Sequence, residues 1–548
     1  MKKTIIATLA ILLSAANLHA QKQSGHNSSV ARNLEIFSDI YRQLDLFYVD
    51  SIDADTILYW SIQKMLAQVD PFTEYYSESD MDDFKTMSTG KYGGIGSVIR
   101  FSTKLERSII SEPYEGSPSQ VAGLKAGDII MTIDGKDTKG WGNAKVSEAL
   151  RGEAGTSFEL VVQRPGETKN RSFLITRKTI QQPQVPYYGQ IRPNVGYIYL
   201  TGFTEGAARE VRFALNDLKT QGISSLILDL RGNGGGSVTE AVDIINMVTP
   251  KGRKVVYTKG KVASTNHDYY TSADPIDSII PMAVLVDGSS ASASEIVAGS
   301  LQDMDRATIV GTRTYGKGLV QSMREVSDNG LLKLTTARYY IPSGRCIQAY
   351  DYRHLNADGS VGTVPDSLTH VFHTAAGREV RDGGGIKPDI EVKQDTVASI
   401  VYDFTSSDEM LDYVTYYVQR HPSVAPAGEI TLSDDDYADF INFMSKTDFK
   451  YNNRSDDALK LLKAIAKREG FYDEAQDEFK ALEEKFKTNL AADLERNRKD
   501  IETYICDEIA HRYYYQRGGV LQTLKDDPTL AAALRALGIS EPDKSKDK

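Results

Sequence analysis

The feature that most constrains this chain is a mostly apolar segment that passes directly into a run of glycines. Residues 225–230 have the length and character of a buried strand, and residues 231–236 follow at once as Arg-Gly-Asn-Gly-Gly-Gly. A helical pattern begins near Val238, so the order is strand, tight turn and helix. The same alternation of strand and helix patterns extends over residues 195–395. It is typical of an α/β layer built on a sheet.

The chain has 548 residues, which is room for several domains. Hydrophobic residues make up 41% and charged residues 25%, values that exclude wholesale disorder. Residues 30–88 show helical spacing, residues 89–180 show short strands with Gly turns, residues 187–395 alternate, and residues 396–548 are helical again. We predict a multidomain α+β protein with a helical N-terminal region, an inserted β-rich domain, an α/β core and a helical C-terminal region.

The N-terminus has the pattern of an export signal. Lys2 and Lys3 precede the apolar run 5–13, and small residues lead to Ala20, so residues 1–20 are predicted to be a signal peptide. The run is too short to span a bilayer, which makes a membrane anchor the weaker alternative. We expect an exported protein, periplasmic or extracellular, with no integral membrane span after signal removal. A net charge of −11 gives no electrostatic footprint for nucleic acid.

Ser292 is a candidate nucleophile. It follows the strand pattern 282–286 and opens a helix, so its hydroxyl would lie beside unpaired backbone N–H groups that favour negative charge. That position suits a hydroxyl whose attack creates an oxyanion. Residues 292–295, Ser-Ala-Ser-Glu, also match the capping box, so a purely structural helix cap is the alternative.

Lys317 is the candidate general base. It lies between Gly316 and Gly318, which lets it approach other backbone closely, and burial would lower its pKa enough to leave a neutral amine. A solvated loop lysine is the structural alternative. Residues 311–317 also resemble a Walker A loop. Gly318 replaces the Ser or Thr that would hold magnesium, and a strand pattern over 319–323 replaces the required helix, which argues against nucleotide binding.

The glycine run offers backbone donors for an oxyanion. The N–H groups of Gly234, Gly235 and Gly236 could complete an oxyanion hole with the N–H of Ala293, the residue after the candidate nucleophile. A tight turn between strand and helix, without a catalytic part, is the alternative.

Three motifs resemble those of the C-terminal processing peptidases, the tail-specific proteases of the S41 serine peptidase family. They are DLRGNGGG over 229–236, SASASEI over 290–296 and GKGxVQ over 316–321. The resemblance implies that Ser292 is the nucleophile, that Lys317 is the base, and that Gln321 hydrogen-bonds the Lys amine. It also implies an acyl-enzyme that water releases, without metal or cofactor. If one strand carried Lys317 and Gln321, both would lie on the same face.

Residues 89–180 resemble a PDZ domain. Tyr-Gly-Gly-Ile-Gly over 92–96 is similar to the loop whose N–H groups hold a terminal carboxylate while the peptide adds as a strand. Val146 and Leu150 would line the groove, although core contacts fit them equally. The expected peptide-binding residues are Gly94, Ile95, Gly96, Val146 and Leu150.

Together these features predict an exported serine endopeptidase that cleaves proteins with apolar C-terminal tails delivered by the PDZ domain. A catalytically silent peptide-binding scaffold of the same fold is the alternative. His370 and His373 have no third ligand nearby, so we predict no metal site. Two copies could associate through the C-terminal helices, where an apolar stripe runs from Phe479 to Leu494.

Overall fold

The structure is a computed structural model that describes residues 27–356, 358–393 and 396–539. The predicted signal peptide, residues 1–20, lies outside this range. Within it, the chain forms one unit from residues 27–77 and 323–335 and a second from the remaining residues. No helix of the described residues combines the length and apolar character needed to cross a bilayer. The multidomain α+β fold class is confirmed.

The first unit is helical, as predicted for the N-terminal region. Its elements are α1 (27–47), α2 (Ala54–Ala67) and β1 (Glu74–Tyr76). Asp53 caps α2 by accepting the N–H groups of Asp55 and Thr56 at 3.1 and 3.3 Å. Strand β1 pairs antiparallel with residues 331–333.

The domain over residues 89–180 that resembles a PDZ domain belongs to the second unit, whose first helix is α3 (Met81–Thr89). Its main sheet has the order β3-β4-β5-β7-β8, so β3 is an edge strand, and β2 pairs with β9 at the base of the domain. Ile110, Leu124, Ile130 and Leu160 are among the residues of its apolar core. Its elements are β2 (Lys91–Gly94), β3 (Ser97–Ser102), β4 (Arg107–Pro113), α4 (Pro118–Ala122), β5 (Ile129–Ile133), β6 (Lys136–Asp137), α5 (Asn143–Leu150), β7 (Ser157–Gln163), β8 (Arg171–Thr176) and β9 (Lys178–Gln181).

The α/β core is built on a six-stranded sheet of order β10-β11-β12-β15-β16-β23, parallel except for β10. Strand side chains alternate between the two faces: Leu226 and Leu228 pack with α6, α7 and α8, whereas Ile227 faces the opposite side. Both faces are therefore buried. The elements are β10 (Tyr187–Arg192), β11 (Val195–Tyr199), α6 (Ala207–Thr220), β12 (Ser225–Asp229), α7 (Val238–Val248), β15 (Met282–Val286), α8 (Ala293–Asp303), β16 (Thr308–Gly311) and β23 (Ile390–Glu391).

A second set of strands carries the segment that follows Lys317. Strand β13 pairs antiparallel with β14 and with the end of β18, and β17 pairs with β18. The elements are β13 (Lys254–Gly260), β14 (Asp268–Tyr270), β17 (Leu319–Glu325), β18 (Leu331–Tyr340), β19 (Tyr350–Leu355), β20 (Val361–Thr363), β21 (Val371–His373) and β22 (Glu379–Arg381). The strand predicted over 319–323 is thus present as β17.

The C-terminal region is helical, as predicted. Its helices are α9 (Ser399–Thr405), α10 (Asp408–Arg420), α11 (Asp434–Met444), α12 (Arg454–Glu469), α13 (Gln476–Phe486), α14 (Leu490–Arg496), α15 (Arg498–Thr523) and α16 (Pro528–Ala536). Tyr413, Phe440 and Ile505 lie in its main apolar cluster, and α15 kinks at Tyr515. Helix α16 does not pack in this cluster but against the second face of the core sheet.

The apolar stripe predicted from Phe479 to Leu494 is not one continuous face. The helix ends at Phe486, and Asn489 starts a new one by accepting the N–H of Ala492 at 3.2 Å. Phe479 packs with Leu459 of α12, while Leu494 is buried in the main cluster of the region. Both ends of the stripe are therefore used inside the chain.

Candidate active site

Ser292 lies between the end of β15 and the start of α8. The strand ends at Val286 on the carboxyl edge of the sheet, and Ser292 is the residue immediately before the first residue of α8. Its φ is 57° and its ψ is −112°, a conformation that a residue with a side chain adopts only when its surroundings hold it there. Ser292 is therefore a strained, half-buried serine between a strand and a helix, which is the position of the nucleophilic serine in α/β-hydrolases.

Glu295 joins the Ser292 turn to the Lys317 loop. Its Oε2 accepts the N–H of Ser292 and the N–H of Lys317, each at 2.9 Å, so the two nitrogens are separated by at most twice that distance. Its Oε1 accepts the Thr314 hydroxyl at 2.5 Å and the Gly316 N–H at 2.7 Å. Four donors thus converge on one fully buried carboxyl group.

The environment of Glu295 also changes its titration. Burial raises the pKa of Glu295 from 4.5 to about 7, and the hydrogen bonds from Thr314, Lys317, Ser292 and Gly316 limit the rise because they stabilise the charged form. The group that connects the two loops therefore titrates near neutral pH.

The glycines on either side of Lys317 allow close packing, as their sequence positions indicate. A Cβ on Gly316, whose φ is +88°, would lie 2.4 Å from the Cβ of Ala349, and one on Gly318 would lie 2.8 Å from the Gln348 nitrogen. The Gly318 N–H donates to Oε1 of Gln348 at 2.8 Å. Lys317 is thereby held, half-buried, on a loop with no room for larger neighbours.

Lys317 and Gln321 do not lie on one strand, so the condition for a shared strand face is not met. Strand β17 begins at Leu319, so Gln321 lies on the strand and Lys317 precedes it. The physical reason is that the N–H groups of Lys317 and Gly318 are taken by the side chains of Glu295 and Gln348 rather than by a neighbouring strand.

The glycine run lies directly against Ser292. We call residues 232–236 the glycine turn. Gly235 has a φ of +98°, and a Cβ there would lie 2.6 Å from the Ala291 carbonyl oxygen, 2.8 Å from the Ser292 Cβ and 2.9 Å from the Ala293 nitrogen. Only glycine permits this approach. The structure thus brings the glycine turn, Ser292 and Ala293 together.

The N–H groups of the glycine turn are not equivalent. Gly235 donates its N–H to Oδ1 of Asn233 at 2.9 Å. For the N–H groups of Gly234 and Gly236, no acceptor occurs among residues 27–356, 358–393 and 396–539, and a Cβ on Gly234 would meet nothing within 4 Å. Ala293 is the first residue of α8, where intrahelical acceptors are lacking. The N–H of Gly235 is therefore already used within the turn, whereas those of Gly234, Gly236 and Ala293 have no acceptor in the part of the chain that the structure describes.

Two serines flanking Ser292 fix the glycine turn against it. The Ser290 hydroxyl donates to the Leu230 carbonyl and the Ser294 hydroxyl to the Asn233 carbonyl, both at 2.8 Å. Both serines are completely buried, so these bonds are shielded from water. Ser290 and Ser294 therefore have a structural role.

Tyr339 reaches the same turn from β18. Its hydroxyl donates to the carbonyl of Ser292 at 3.2 Å. Burial, followed by the nearby carboxyl of Glu295, raises the pKa of Tyr339 well above its ordinary value, so its proton remains available for this bond.

Some of the five residues expected to bind a peptide lie in or beside a loop, and the others lie in the core of their domain. In the loop, Gly96 has a φ of +72°, and its carbonyl accepts the Tyr114 N–H and the Ser119 hydroxyl, both at 2.8 Å. Val146 and Leu150, expected in the groove, are 0% and 5% exposed and belong to the PDZ core together with Ile95. Gly94 ends β2 beside the loop.

Sequence reasoning missed several residues that shape this site. Thr314, Tyr339 and Gln348 were given no role, and Glu295 was considered only as a capping partner. The signal for Glu295 was present, because a carboxylate three residues after a serine faces backbone N–H groups at a helix start. Its bonds to the Lys317 loop depend on tertiary packing, which spacing does not reveal.

Comparison with known proteins identifies three matching regions. Residues 194–366 match Peptidase family S41, residues 109–164 match the PDZ domain, and residues 400–537 match the family described as "Probable PDZ-protease, C-terminal helical domain".

Curated relatives cover much of the chain. The carboxy-terminal-processing protease of Bartonella bacilliformis is 33% identical over 354 residues, covering 64% of this chain and 80% of that protein. The carboxyl-terminal-processing protease of Synechocystis is 36% identical over 314 residues, covering 57% and 70%. The solved photosystem II D1 C-terminal processing protease is 28% identical, covers 66% of this chain and 93% of that one, and has a TM-score of 0.35. This chain therefore belongs to the carboxy-terminal-processing proteases of peptidase family S41, and it is a serine-type peptidase with a PDZ domain.

Proposed function

We propose that this protein is an exported endopeptidase that cleaves proteins whose apolar C-terminal tails are bound by its PDZ domain. Ser292 is the nucleophile, Lys317 the general base, and Gln321 a hydrogen-bond partner of the Lys317 amine. The observation that carries the proposal is the shared Oε2 of Glu295, which holds the backbones of Ser292 and Lys317 close together.

The reaction uses the residues of this chain alone. The neutral Lys317 amine takes the Ser292 hydroxyl proton as Oγ attacks the peptide carbonyl. The oxyanion that forms is stabilised by the N–H of Ala293 and by N–H groups of the glycine turn, of which that of Gly234 has no acceptor among the described residues. Lys317 then gives its proton to the leaving amine, and the C–N bond breaks to leave an acyl-enzyme.

Water completes the cycle. Lys317, neutral again, takes a proton from a water molecule that attacks the ester carbonyl, and the same N–H groups stabilise the second oxyanion. The bond between the acyl carbon and the Ser292 oxygen then breaks, and Lys317 returns its proton to that oxygen. This step releases the new carboxylate and restores the enzyme.

The PDZ domain binds the C-terminal tail of the substrate. The edge position of β3 leaves room for a peptide to add as a further strand, and the loop ending at Gly96 lies at the start of that strand. The proposal assigns tail capture to residues 89–180 and peptide hydrolysis to residues 187–395. Residues 1–20 would direct export and then be removed. N-terminal sequencing of the protein from extracytoplasmic fractions tests this, and Gln21 should be the first residue.

The deciding experiment compares Ser292→Ala with the wild type on a peptide-tagged protein ending in apolar residues. Cleavage should be lost while binding of the tail is kept. Ser289→Ala is the matched control, because Ser289 is an exposed serine of the same turn. Turnover by Ser292→Ala would refute the assignment. A wild type that binds the tail but never cleaves it, and whose Ser292 does not react with a serine-directed phosphonate, would instead be a silent scaffold.

A further inference from the structure

We propose that Arg231 is a positioning residue for the glycine turn and that Asp527 of the C-terminal helical region holds Arg231 in place. This inference rests on the proposed function, because it concerns the donors of the oxyanion. It gives the C-terminal region a part in catalysis, although none of its residues needs to touch the substrate.

Arg231 is fixed first by the strand from which it emerges. Asp229, the last residue of β12, is 1% exposed, and its Oδ2 accepts Nη2 of Arg231 at 2.6 Å. The Arg231 Nε lies 3.0 Å from both carboxylate oxygens, and the Arg231 N–H donates to Oδ1 at 2.9 Å. The Tyr197 hydroxyl donates to Oδ2 at 2.7 Å, which fixes the carboxylate as well.

A second carboxylate reaches the same guanidinium from a distant part of the chain. Oδ2 of Asp527 lies 2.6 Å from Nη2 of Arg231, and their side chains are only 7% and 23% exposed. Oδ1 of Asp527 caps α16 by accepting the N–H groups of Thr529 and Leu530 at 2.8 and 3.1 Å. Each oxygen of Asp527 therefore has a separate task.

Helix α16 makes Asp527 a fixed anchor. Leu530, Ala533 and Leu534 of this helix are buried against the core sheet, in contact with the cluster that contains Ile227 and Leu285. An ion pair whose acid is held by a docked helix loses little additional side-chain entropy when it forms, and it is partly shielded from water. It can therefore hold Arg231 in one orientation.

Arg231 is the residue immediately before the glycine turn. The turn is also held along its length: Gly232 donates its N–H to both oxygens of Asp287 at 3.1 Å, the Asn233 side-chain amide donates to the Leu200 carbonyl at 2.8 Å, and the Gly235 carbonyl accepts the Phe203 N–H at 3.0 Å. The bonds of Arg231 to Asp229 and Asp527 add a side-chain anchor at the residue where the turn begins. A small displacement there shifts the N–H groups relative to Ser292, and displacements of about 1 Å can reduce rates about 100-fold.

Asp527→Asn tests the inference without removing the helix cap. Asparagine caps helices as well as aspartate, but the variant removes the negative charge that Arg231 meets. We expect kcat for the tail-bearing substrate to fall about tenfold, while KM and tail binding to the PDZ domain stay unchanged. Asp53→Asn is the matched control, since Asp53 caps α2 through the same two-donor arrangement and has no such Arg partner among the residues that the structure describes.

A double-mutant cycle separates positioning from general destabilisation. Arg231→Lys keeps the charge but loses the planar, multidentate contact, and we expect it to lower kcat by a similar factor. The double variant Arg231→Lys with Asp527→Asn should lose no more than the worse single variant, because both act through one contact. Multiplying losses, or an unchanged kcat in Asp527→Asn, would overturn the inference.

The outcome is distinguishable from failure of the proposed function. If the wild type neither cleaves the substrate nor reacts with a phosphonate at Ser292, the proposed function fails. If the wild type does both and Asp527→Asn matches it in kcat, only the role of Arg231 and Asp527 fails. A fall in the melting temperature of Asp527→Asn with unchanged kcat would show a purely structural pair and would also overturn the inference.

Discussion

Oε2 of Glu295 accepts the backbone N–H of Lys317 at 2.9 Å. The same oxygen accepts the N–H of Ser292, so one atom sets the distance between the two loops that carry the proposed dyad. Because Glu295 is completely buried, water does not compete for these bonds. The backbones of the two proposed dyad residues are therefore held together in the protein without substrate.

The first prediction is that Glu295→Gln lowers kcat about 100-fold. Both oxygens of the carboxylate accept backbone N–H groups, whereas the glutamine amide has an NH₂ donor in place of one oxygen, so at least one backbone N–H would face another donor. Steady-state kinetics measures the effect. Glu240→Gln is the control, because Glu240 also follows a serine cap by three residues but accepts the N–H groups of Gly206 and Ala208. Equal kcat losses in the two variants would contradict a specific role for Glu295.

The second prediction concerns pH and stability. The pKa of Glu295 is raised to about 7 by burial, so between pH 4.5 and about 7 the folded chain keeps a proton that the unfolded chain releases. The free energy of unfolding therefore falls as the pH rises through this window, by about 3 kcal/mol from this group. Urea unfolding at pH 5 and pH 8 should show a smaller difference for Glu295→Gln than for the wild type. The same difference in both proteins would count against the raised pKa.

The third prediction compares a glycine of the glycine turn with a glycine outside it. Gly235→Ala should lower kcat at least 100-fold, because its Cβ would push on Ala291, Ser292 and the Ala293 nitrogen. Gly222→Ala is the control: its φ of +82° imposes a similar backbone strain of about 1 kcal/mol, but a Cβ there would meet nothing within 4 Å. If Gly222→Ala were as inactive as Gly235→Ala, strain rather than contact with Ser292 would be responsible.

Much of this site follows from local sequence. A buried strand that ends in a turn and a helix predicts where Ser292 lies, and the glycines of the turn and of the Lys317 loop indicate close backbone approach. The strand after Lys317 is likewise predicted from its apolar residues, and its presence as β17 separates this loop from a Walker A loop.

The remainder depends on contacts between distant parts of the chain. Spacing could not show that Glu295 bonds the Lys317 N–H, because the loop reaches it only after the sheet has formed. It likewise could not show that Asp527 meets Arg231, since α16 must first dock on the sheet. Val146 and Leu150 have the spacing of a helix face, which fits a groove and a core equally, and burial alone places them in the PDZ core.

The fourth prediction tests the strain at Ser292. Because its φ is 57°, Ser292→Gly should be more stable than Ser292→Ala by about 1 kcal/mol, although both are inactive. Chemical unfolding of the two inactive proteins measures the difference. At Ser289, whose φ is not positive, the order should reverse, with alanine the more stable replacement. The same order at both positions would show that the conformation of Ser292 is not strained.

The last prediction separates tail capture from hydrolysis. Gly96→Ala should raise KM for a tail-bearing protein about tenfold, because the new Cβ would lie 2.6 Å from the Ser117 Cβ and displace the loop that we propose binds the carboxylate. Gly135→Ala is the control, since Gly135 has a φ of +73° in the same domain but open space around its Cβ. Phosphonate labelling of Ser292 should proceed at the wild-type rate in both variants. If labelling slowed in Gly96→Ala while KM stayed constant, the loop would act on the catalytic core rather than on the substrate tail.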